Sequence, residues 1–493
     1  MRAWGRLGAL LAAAGAAAVA PPAQAEAQAW RFHADPVLGT SMDLAAVTAE
    51  PASARRAADA ARAEIDRLDA LLSGWRSDSE LSRLNRSASL AVSPELFAVL
   101  EACERWRALT GGAFDARQGA VYSLRRTAAE HGQQADAADL ARLWAAASGA
   151  EVRLDPLTRT VFRPAPVQFA PEALAKGYVV DAALAAARAA APELAGLMVD
   201  IGGDLRCWGR GPGGSAWIAG VADPAAGEDN ARPAVVLGLG GRALATSGRR
   251  DEGFHHIVGG ELSLSASVLA PTAAEADALA TALCAMPAQA GRDLIESLPG
   301  VEARTVDANG RIRTSSGWQG LTLSADAPPA RLIRTADAVA GAAALPWPAR
   351  FAVTVDYTLP QKEARAYAPY VAIWVTDDDG KLVRGLAMLG GKLDYVSENY
   401  IWWRRFGRAR PQLVAAISRP TRRAGRYSVV WDGKNDDGQP VGQGKYTVHI
   451  EAIRENGLHS YQAMEVTLGN DPVQAMAPPG EELGPALLRY GRR

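Results

Sequence analysis

The chain has 493 residues, length enough for two or three domains, with 53 Lys and Arg against 54 Asp and Glu and a formal net charge of -1. That balance excludes a chain-wide field favouring nucleic acid or an anionic membrane, so partners must be met at local sites. Three cysteines, Cys103, Cys207 and Cys284, lack metal-like spacing and read as buried thiols, with one disulfide and a leftover thiol as the alternative.

Arg2 and Arg6, the apolar run Leu7 to Ala20 and the small-x-small pattern Ala23-Gln24-Ala25 read as a secretory signal peptide over 1–25. No later stretch reaches the length of a membrane span. The expectation is a soluble mature chain exported to a bacterial periplasm. Trp30 to Val47 reads as a strand pair bent at Leu38-Gly39-Thr40, where the glycine allows the bend. Pro51 to Leu72 is an amphipathic helix with Ala58, Ala61, Ile65, Leu68 and Leu72 on one face. The polar run SGWRSDSELSRLN holds Trp75 and Asn85. A helix from Pro94 then stops at Gly111-Gly112, and Ala113-Phe114-Asp115 follows at once. Ala128 to Ala147 reads as helix, and Val152 to Pro164 as a hairpin turning at Asp155-Pro156.

In FAPEALAKGYVVD, Lys176-Gly177 opens a helix that carries Asp181. A helix N-terminus attracts anions and a lysine adds to that pull, although a lysine on a solvated face fits the same letters. VDIGGDL is an apolar strand that breaks at two glycines before Asp204, giving either a close approach to a ligand or a plain turn. ALATSGRR reads as a small polar turn of Thr246, Ser247 and Gly248, followed by His255-His256-Ile257. EADALATAL, Glu275 to Leu283, is helical, with Asp277 and Thr281 four apart and so stacked about one turn from each other. A carboxylate and a hydroxyl in that arrangement suit a hard cation such as Mg2+, which uses one or two protein carboxylates beside water and phosphate, although an ordinary helix with a solvated Asp fits the same letters.

A Pro- and Ala-rich connection, 325–345, leads to a β-rich remainder. Ala352 to Tyr357 and Tyr370 to Thr376 alternate as strands. Tyr427 to Trp431 and Lys445 to Ala452 flank DGKNDDGQPVGQG, an acidic loop without the glutamate an EF-hand requires, which reads as a hairpin of an immunoglobulin-like sandwich. Tyr357, Tyr367, Tyr370, Trp374, Trp402 and Trp403 read as core and edge aromatics, and 471–493 as a flexible tail.

In this order, LGTSMDL, SGWRSDSELSRLN, GGAFDAR, LAKGYVVD, VDIGGDL, ATSGRR, HHI and EADALATAL resemble the FAD:protein FMN transferase family, the ApbE-type flavin transferases, over about Leu38 to Met286. The resemblance implies an α+β flavin transferase domain over 28–324, FAD as substrate and Mg2+ as cofactor. It also implies transfer of FMN to a threonine hydroxyl of an exported flavoprotein target, with release of AMP. By resemblance, Asp277, Thr281 and the backbone carbonyl of Ala173 are metal ligands. Leu38, Trp75, Ala113, Phe114, Asp115, Ala170, Lys176, Ile257 and Val258 line the FAD site, and His256 and Lys176 serve the chemistry. Splitting a pyrophosphate needs charge neutralisation, to which Lys176 adds, and histidine has the unperturbed pKa range of a general base.

The chain departs from the family pattern at Leu38 (usually Met), Trp75 (usually Tyr), Ala170 (usually acidic) and Val258-Gly259-Gly260-Glu261 (usually Asp-Pro and a Thr-Gly turn). Two other readings stay open: a metal-dependent FAD pyrophosphatase, marked by free FMN without target, and a flavin-binding or assembly protein that holds FAD without turnover. YVAIWVTDDDGKLVR, ENYIWWRR and YSVVWDGKNDDGQPVGQGKYTVHIEAIRENG resemble an uncharacterised exported domain fused to such transferases, implying a β-sandwich over 346–470 for binding or docking. The fold expected is α+β, helices on mixed sheets, followed by an all-β sandwich.

Overall fold

A computed structural model describes residues 27–131, 133–226, 231, 233–248, 263–323, 345–362, 368–390, 399–407, 418–419, 421–454 and 458–492. The signal segment 1–25, Tyr367 and most of the 325–345 connection lie outside them. Eight strands make the central sheet: β1 (Gln28–Val37), β2 (Thr40–Thr48), β3 (Gly196–Ile201), β4 (Asp204–Gly209), β5 (Ala243–Gly248), β6 (Ser265–Ala270), β7 (Glu302–Val306) and β8 (Ile312–Thr314). They are hydrogen-bonded in chain order, and every neighbouring pair is antiparallel, so the sheet is not mixed.

Alternation divides the two faces of this sheet. Leu197, Val199 and Ile201 of β3, Ala243 and Ala245 of β5, and Ala266, Val268 and Ala270 of β6 are buried on one face beneath a helical layer. That layer contains α1 (Pro51–Leu72), α2 (Pro94–Leu109), α3 (Glu172–Ala190) and α4 (Ala273–Ala285). Ala54, Ala57, Ala58 and Ala61 of α1 and Ala183 and Ala187 of α3 are buried in the same core, where short side chains let helix axes come close. The opposite face is covered by a small sheet of residues Ile218–Val221, Val235–Gly238 and Thr322–Leu323, with Trp217, Leu237, Leu244, Leu269 and Trp318 buried between. Among the described residues no helix is long and apolar enough to cross a membrane. The three cysteines are buried and none forms a disulfide.

The C-terminal part is an antiparallel sandwich of β9 (Phe351–Leu359), β10 (Tyr370–Asp377), β11 (Leu382–Leu389), β12 (Gly425–Trp431), β13 (Gly444–Ile453), β14 (His459–Leu468), β15 (Val473–Ala477) and β16 (Ala486–Arg492). One sheet runs β12-β9-β16-β15, and the other runs Ser418–Arg419, β11, β10, β13, β14, with a parallel pair only at its Ser418–Arg419 edge. Val353, Val355, Ile373, Val375, Val448, Ile450 and Leu488 fill the space between. Tyr357, Tyr370, Trp374 and Trp402 are buried and Trp403 is partly buried, in line with a core reading.

Five readings are corrected. The segment read as a tail forms β15 and β16, and β16 sits inside its sheet between β9 and β15 because Leu488 and Tyr490 alternate inward while Arg489 points out. DGKNDDGQPVGQG turns back on itself, with Lys434 paired antiparallel to Pro440, but its flanking strands are not a hairpin pair: β12 pairs with β9 and β13 with β10 and β14, so the segment crosses between sheets. Trp431 and Tyr446 meet from its two ends, ring centroids 5.1 Å apart, and Asn435 Oδ1 accepts from the N–H groups of Asp437 and Gln439 to turn it. ALATSG is strand β5, since each residue from Ala243 to Gly248 has a partner on β6. The helix of Lys176 begins earlier, at Glu172 behind Pro171, so the lysine lies in its second turn. Ala128 to Ala147 is interrupted: one helix ends at Glu130 and the next starts at Ala137, capped by Asp136.

Candidate active site

Helix α4 is buried on almost every side, and of its two carboxylates Asp277 is buried, 3% exposed, while Glu275 in the first turn is only partly so. Its start is fixed twice. Thr272 Oγ1 accepts from Glu275 N at 3.3 Å, and Asp181 of α3 accepts from Ala273 N at 2.9 Å and Ala274 N at 3.1 Å. The Asp181 oxygen that meets Ala273 also takes Arg206 Nη1 at 2.7 Å. Helices α3 and α4 touch at Gly177, where a Cβ would overlap the Ala273 carbonyl, and the freed approach lets Gly177 N donate to Asp277 Oδ2 at 3.2 Å.

One residue before Gly177, Lys176 Nζ lies 3.0 Å from Asp204 Oδ2, and Asp204 is 1% exposed at the start of β4. Burial, then the charge of Asp204, holds the Asp277 carboxyl well above the usual carboxylate range, with Lys176 opposing. Burial alone would lower Lys176, but Asp204, Asp277 and Asp200 outweigh it and raise the ammonium above its usual range. Asp200 is pushed up to about 7, first by burial and then by Asp43, which faces it across β2 and β3 and holds His33 Nδ1 at 2.8 Å. One turn after Asp277, Thr281 Oγ1 lies 3.1 Å from Ser247 Oγ of β5.

The remaining residues of the expected site surround the start of α3. Ala173 is in its first turn and partly buried. Asn85 accepts from Phe169 N and donates to the Phe169 carbonyl, both at 2.8 Å, and so fixes the strand-like approach to Ala170. Ala170 N donates to the Ala116 carbonyl at 2.7 Å, joining this segment to Ala113-Phe114-Asp115. Phe114 is buried, and the buried Asp115 carboxylate is taken up by Arg117 N, Gln118 Nε2, Ser148 Oγ and the Arg107 guanidinium. Trp75 is 71% exposed, with the Arg126 guanidinium 4.9 Å from its ring centre.

At the sheet end, Leu38 and Gly39 turn β1 into β2 with φ of 50° and 76°, and Gly202 and Gly203 turn β3 into β4 with φ of 61° and 93°. A Cβ on Gly202 would come within 2.7 Å of Thr40, so the two turns pack together. His255, His256, Ile257 and Val258 lie outside the described residues.

The sequence reading assigns no role to Asp204, Asp181, Ser247 or Arg126. Asp181 and Asp204 are carboxylates in otherwise apolar stretches, which is a sequence cue to a buried partner. The contacts of Ser247 and Arg126 have no such cue. Among the described residues, no three His, Cys, Asp or Glu side chains form a metal-binding group.

Two family models match this chain: the ApbE family over residues 38–305, and a predicted periplasmic protein family over 352–485. The FAD:protein FMN transferase of Treponema pallidum is 28% identical over 318 residues, which is 58% of this chain and 86% of that protein. The FAD:protein FMN transferase of Chlamydia trachomatis is 31% identical over 249 residues, 45% of this chain and 75% of the relative. In fold, the chain is similar to the ApbE protein of Thermotoga maritima, with a TM-score of 0.51 and 23% identity over 60% of this chain and 99% of that one. Flavin transferase ApbE from Vibrio cholerae gives a TM-score of 0.51 and 22% identity over the same shares.

Proposed function

The chain belongs to the ApbE family, and from that premise we propose that it transfers the FMN half of FAD to a threonine hydroxyl of an exported flavoprotein, releasing AMP, with Mg2+ held at Asp277 and Thr281. The observation that carries the proposal is the pair of buried carboxylates, Asp277 and Asp204, beside the single ammonium of Lys176. Burial and the neighbouring Asp204 make the Asp277 carboxyl resist ionisation, and a divalent cation beside it offsets both effects. The Asp277 carboxylate, the Thr281 hydroxyl and the Ala173 carbonyl are an all-oxygen donor set of the kind Mg2+ takes. When bound, the cation neutralises charge on the pyrophosphate oxygens.

The chain's own groups supply the rest. Lys176 keeps its proton among its carboxylate neighbours and brings a fixed positive charge to the site, held in place by Asp204. The exposed face of Trp75 offers a stacking surface for a planar ring. His256 takes the proton of the acceptor threonine as its oxygen bonds to the phosphorus of FMN and the bond from that phosphorus to the AMP oxygen breaks. The division into 28–324, the connection 325–345 and a sandwich from 346 belongs to the same proposal, as does a periplasmic location. The signal reading of 1–25 and the periplasmic description of the family matched at 352–485 support that location. The sandwich is the docking module for the target.

Mass spectrometry after incubating the mature chain with FAD, Mg2+ and a threonine-containing acceptor peptide tests the proposal. The peptide gains the mass of FMN, and Asp277→Ala lowers that gain by on the order of 100-fold or more. FAD held without modification of any peptide in a panel would replace transfer by binding alone. Free FMN formed in the absence of acceptor would favour hydrolysis.

A further inference from the structure

A line of polar side chains lies on the sheet face turned away from α4, apart from the site above. The register opposes Thr246 of β5 to Ser267 of β6, Ser267 to Arg304 of β7, and Arg304 to Thr314 of β8. Directly opposed residues of antiparallel strands project to one side, so the four form a single row across four strands. The side is set by β5. Ser247 reaches Thr281 of α4, so its neighbour Thr246 projects the other way, and Thr246 Oγ1 meets Ser267 Oγ at 2.9 Å.

Arg304 is 7% exposed and Ser267 0%. The Arg304 guanidinium forms no hydrogen bond or ion pair with any described residue, and its Nη1 is buried without a partner. Burial holds it below the usual arginine range, while the charge of Asp223 acts the other way without forming an ion pair. A guanidinium stays charged even so, and a buried charge whose counter-charge stands off without direct contact carries a penalty that folded proteins normally offset with an anion bound against it. Every other part of the row is a hydroxyl, a neutral donor suited to the same kind of ligand.

We propose that Thr246, Ser267, Arg304 and Thr314 form a binding site for an oxyanion, a carboxylate or a phosphate group, on the face of the sheet opposite α4. The planar guanidinium presents paired donors that match two oxygens of either group, and the flanking hydroxyls add single donors on both sides. Burial of Arg304 and Ser267 strengthens the bonds those two make, while Thr246 at the exposed end of the row opens it to solvent. The site does not depend on flavin transfer, since α4 and its carboxylates lie on the other side of the sheet.

Thermal unfolding of the full chain, without FAD or Mg2+, tests it in sodium chloride and, at matched ionic strength, in sodium phosphate and in sodium acetate. The natural chain's midpoint rises with phosphate, with acetate or with both, and the anion that acts identifies the group recognised. Arg304→Met loses that rise. Arg304→Gln, which keeps hydrogen-bonding atoms but no charge, loses it as well and serves if the methionine variant does not fold. Equal responses in the natural chain and the variant, including no response in either, overturn the site.

Discussion

Lys176 stands among carboxylates of different character. Asp204 is its direct partner at 3.0 Å, whereas Asp200 is pushed up to about 7 by burial and by Asp43. A carboxyl raised in the folded chain retains a proton there that the unfolded chain has released, so the folded state loses stability as pH climbs from about 4 to about 7. Asp200→Asn removes that dependence. Its unfolding midpoint is expected to exceed the natural chain's at about pH 8 and to match it at about pH 4, read by calorimetry across the range. A variant with the natural pH profile would mean that Asp200 titrates normally. Of this site, the Asp277–Thr281 stack is legible in the sequence because the helical period alone fixes it. The Lys176–Asp204 contact is not, because it joins a helix to a strand whose relative placement no local pattern encodes.

At the scale of the elements, the decisive contact is the crossing of α3 and α4 at Gly177. Intrinsic helix preference favours alanine over glycine there by about 1 kcal/mol. Close packing opposes it, since a Cβ would overlap the Ala273 carbonyl and push α4 away from the N–H that Asp277 accepts. Gly177→Ala is therefore expected to lose about 1–3 kcal/mol in urea unfolding, and a gain of stability would show that the helices can separate freely. Helices such as Pro51–Leu72 are legible to the residue because an apolar stripe, a proline start and a serine-glycine stop agree. Strand β5 is not legible: Thr246, Ser247 and Gly248 have the composition of a turn, and only pairing with β6 makes them a strand. Tertiary hydrogen bonding overrides local preference there.

The molecule as a whole joins a meander, whose strands pair in chain order, to a sandwich whose strands do not. Residues after Gly469 look dispensable from their Pro- and Gly-containing sequence, yet β16 supplies Leu488 and Tyr490 to the sandwich core. Removing 471–493 from the full chain is expected to leave the C-terminal part open to rapid limited proteolysis while the ApbE-like part persists. Equal resistance of both parts would show that β16 is peripheral. The alternation Leu-Arg-Tyr was readable, but so short a strand is recognised only once its partner β9 is known. The same topology has a kinetic side. Strand β9, Phe351–Leu359, waits for β12, Gly425–Trp431, on one edge and for β16, Ala486–Arg492, on the other. Pairings of such high contact order form slowly, and at a synthesis rate of about 5–20 residues per second the sandwich cannot close until the final strand has left the ribosome. The newly made chain thus passes through a period with its C-terminal part, Phe351 onward, still unfolded, and in that state this part is competent for threading through a narrow channel.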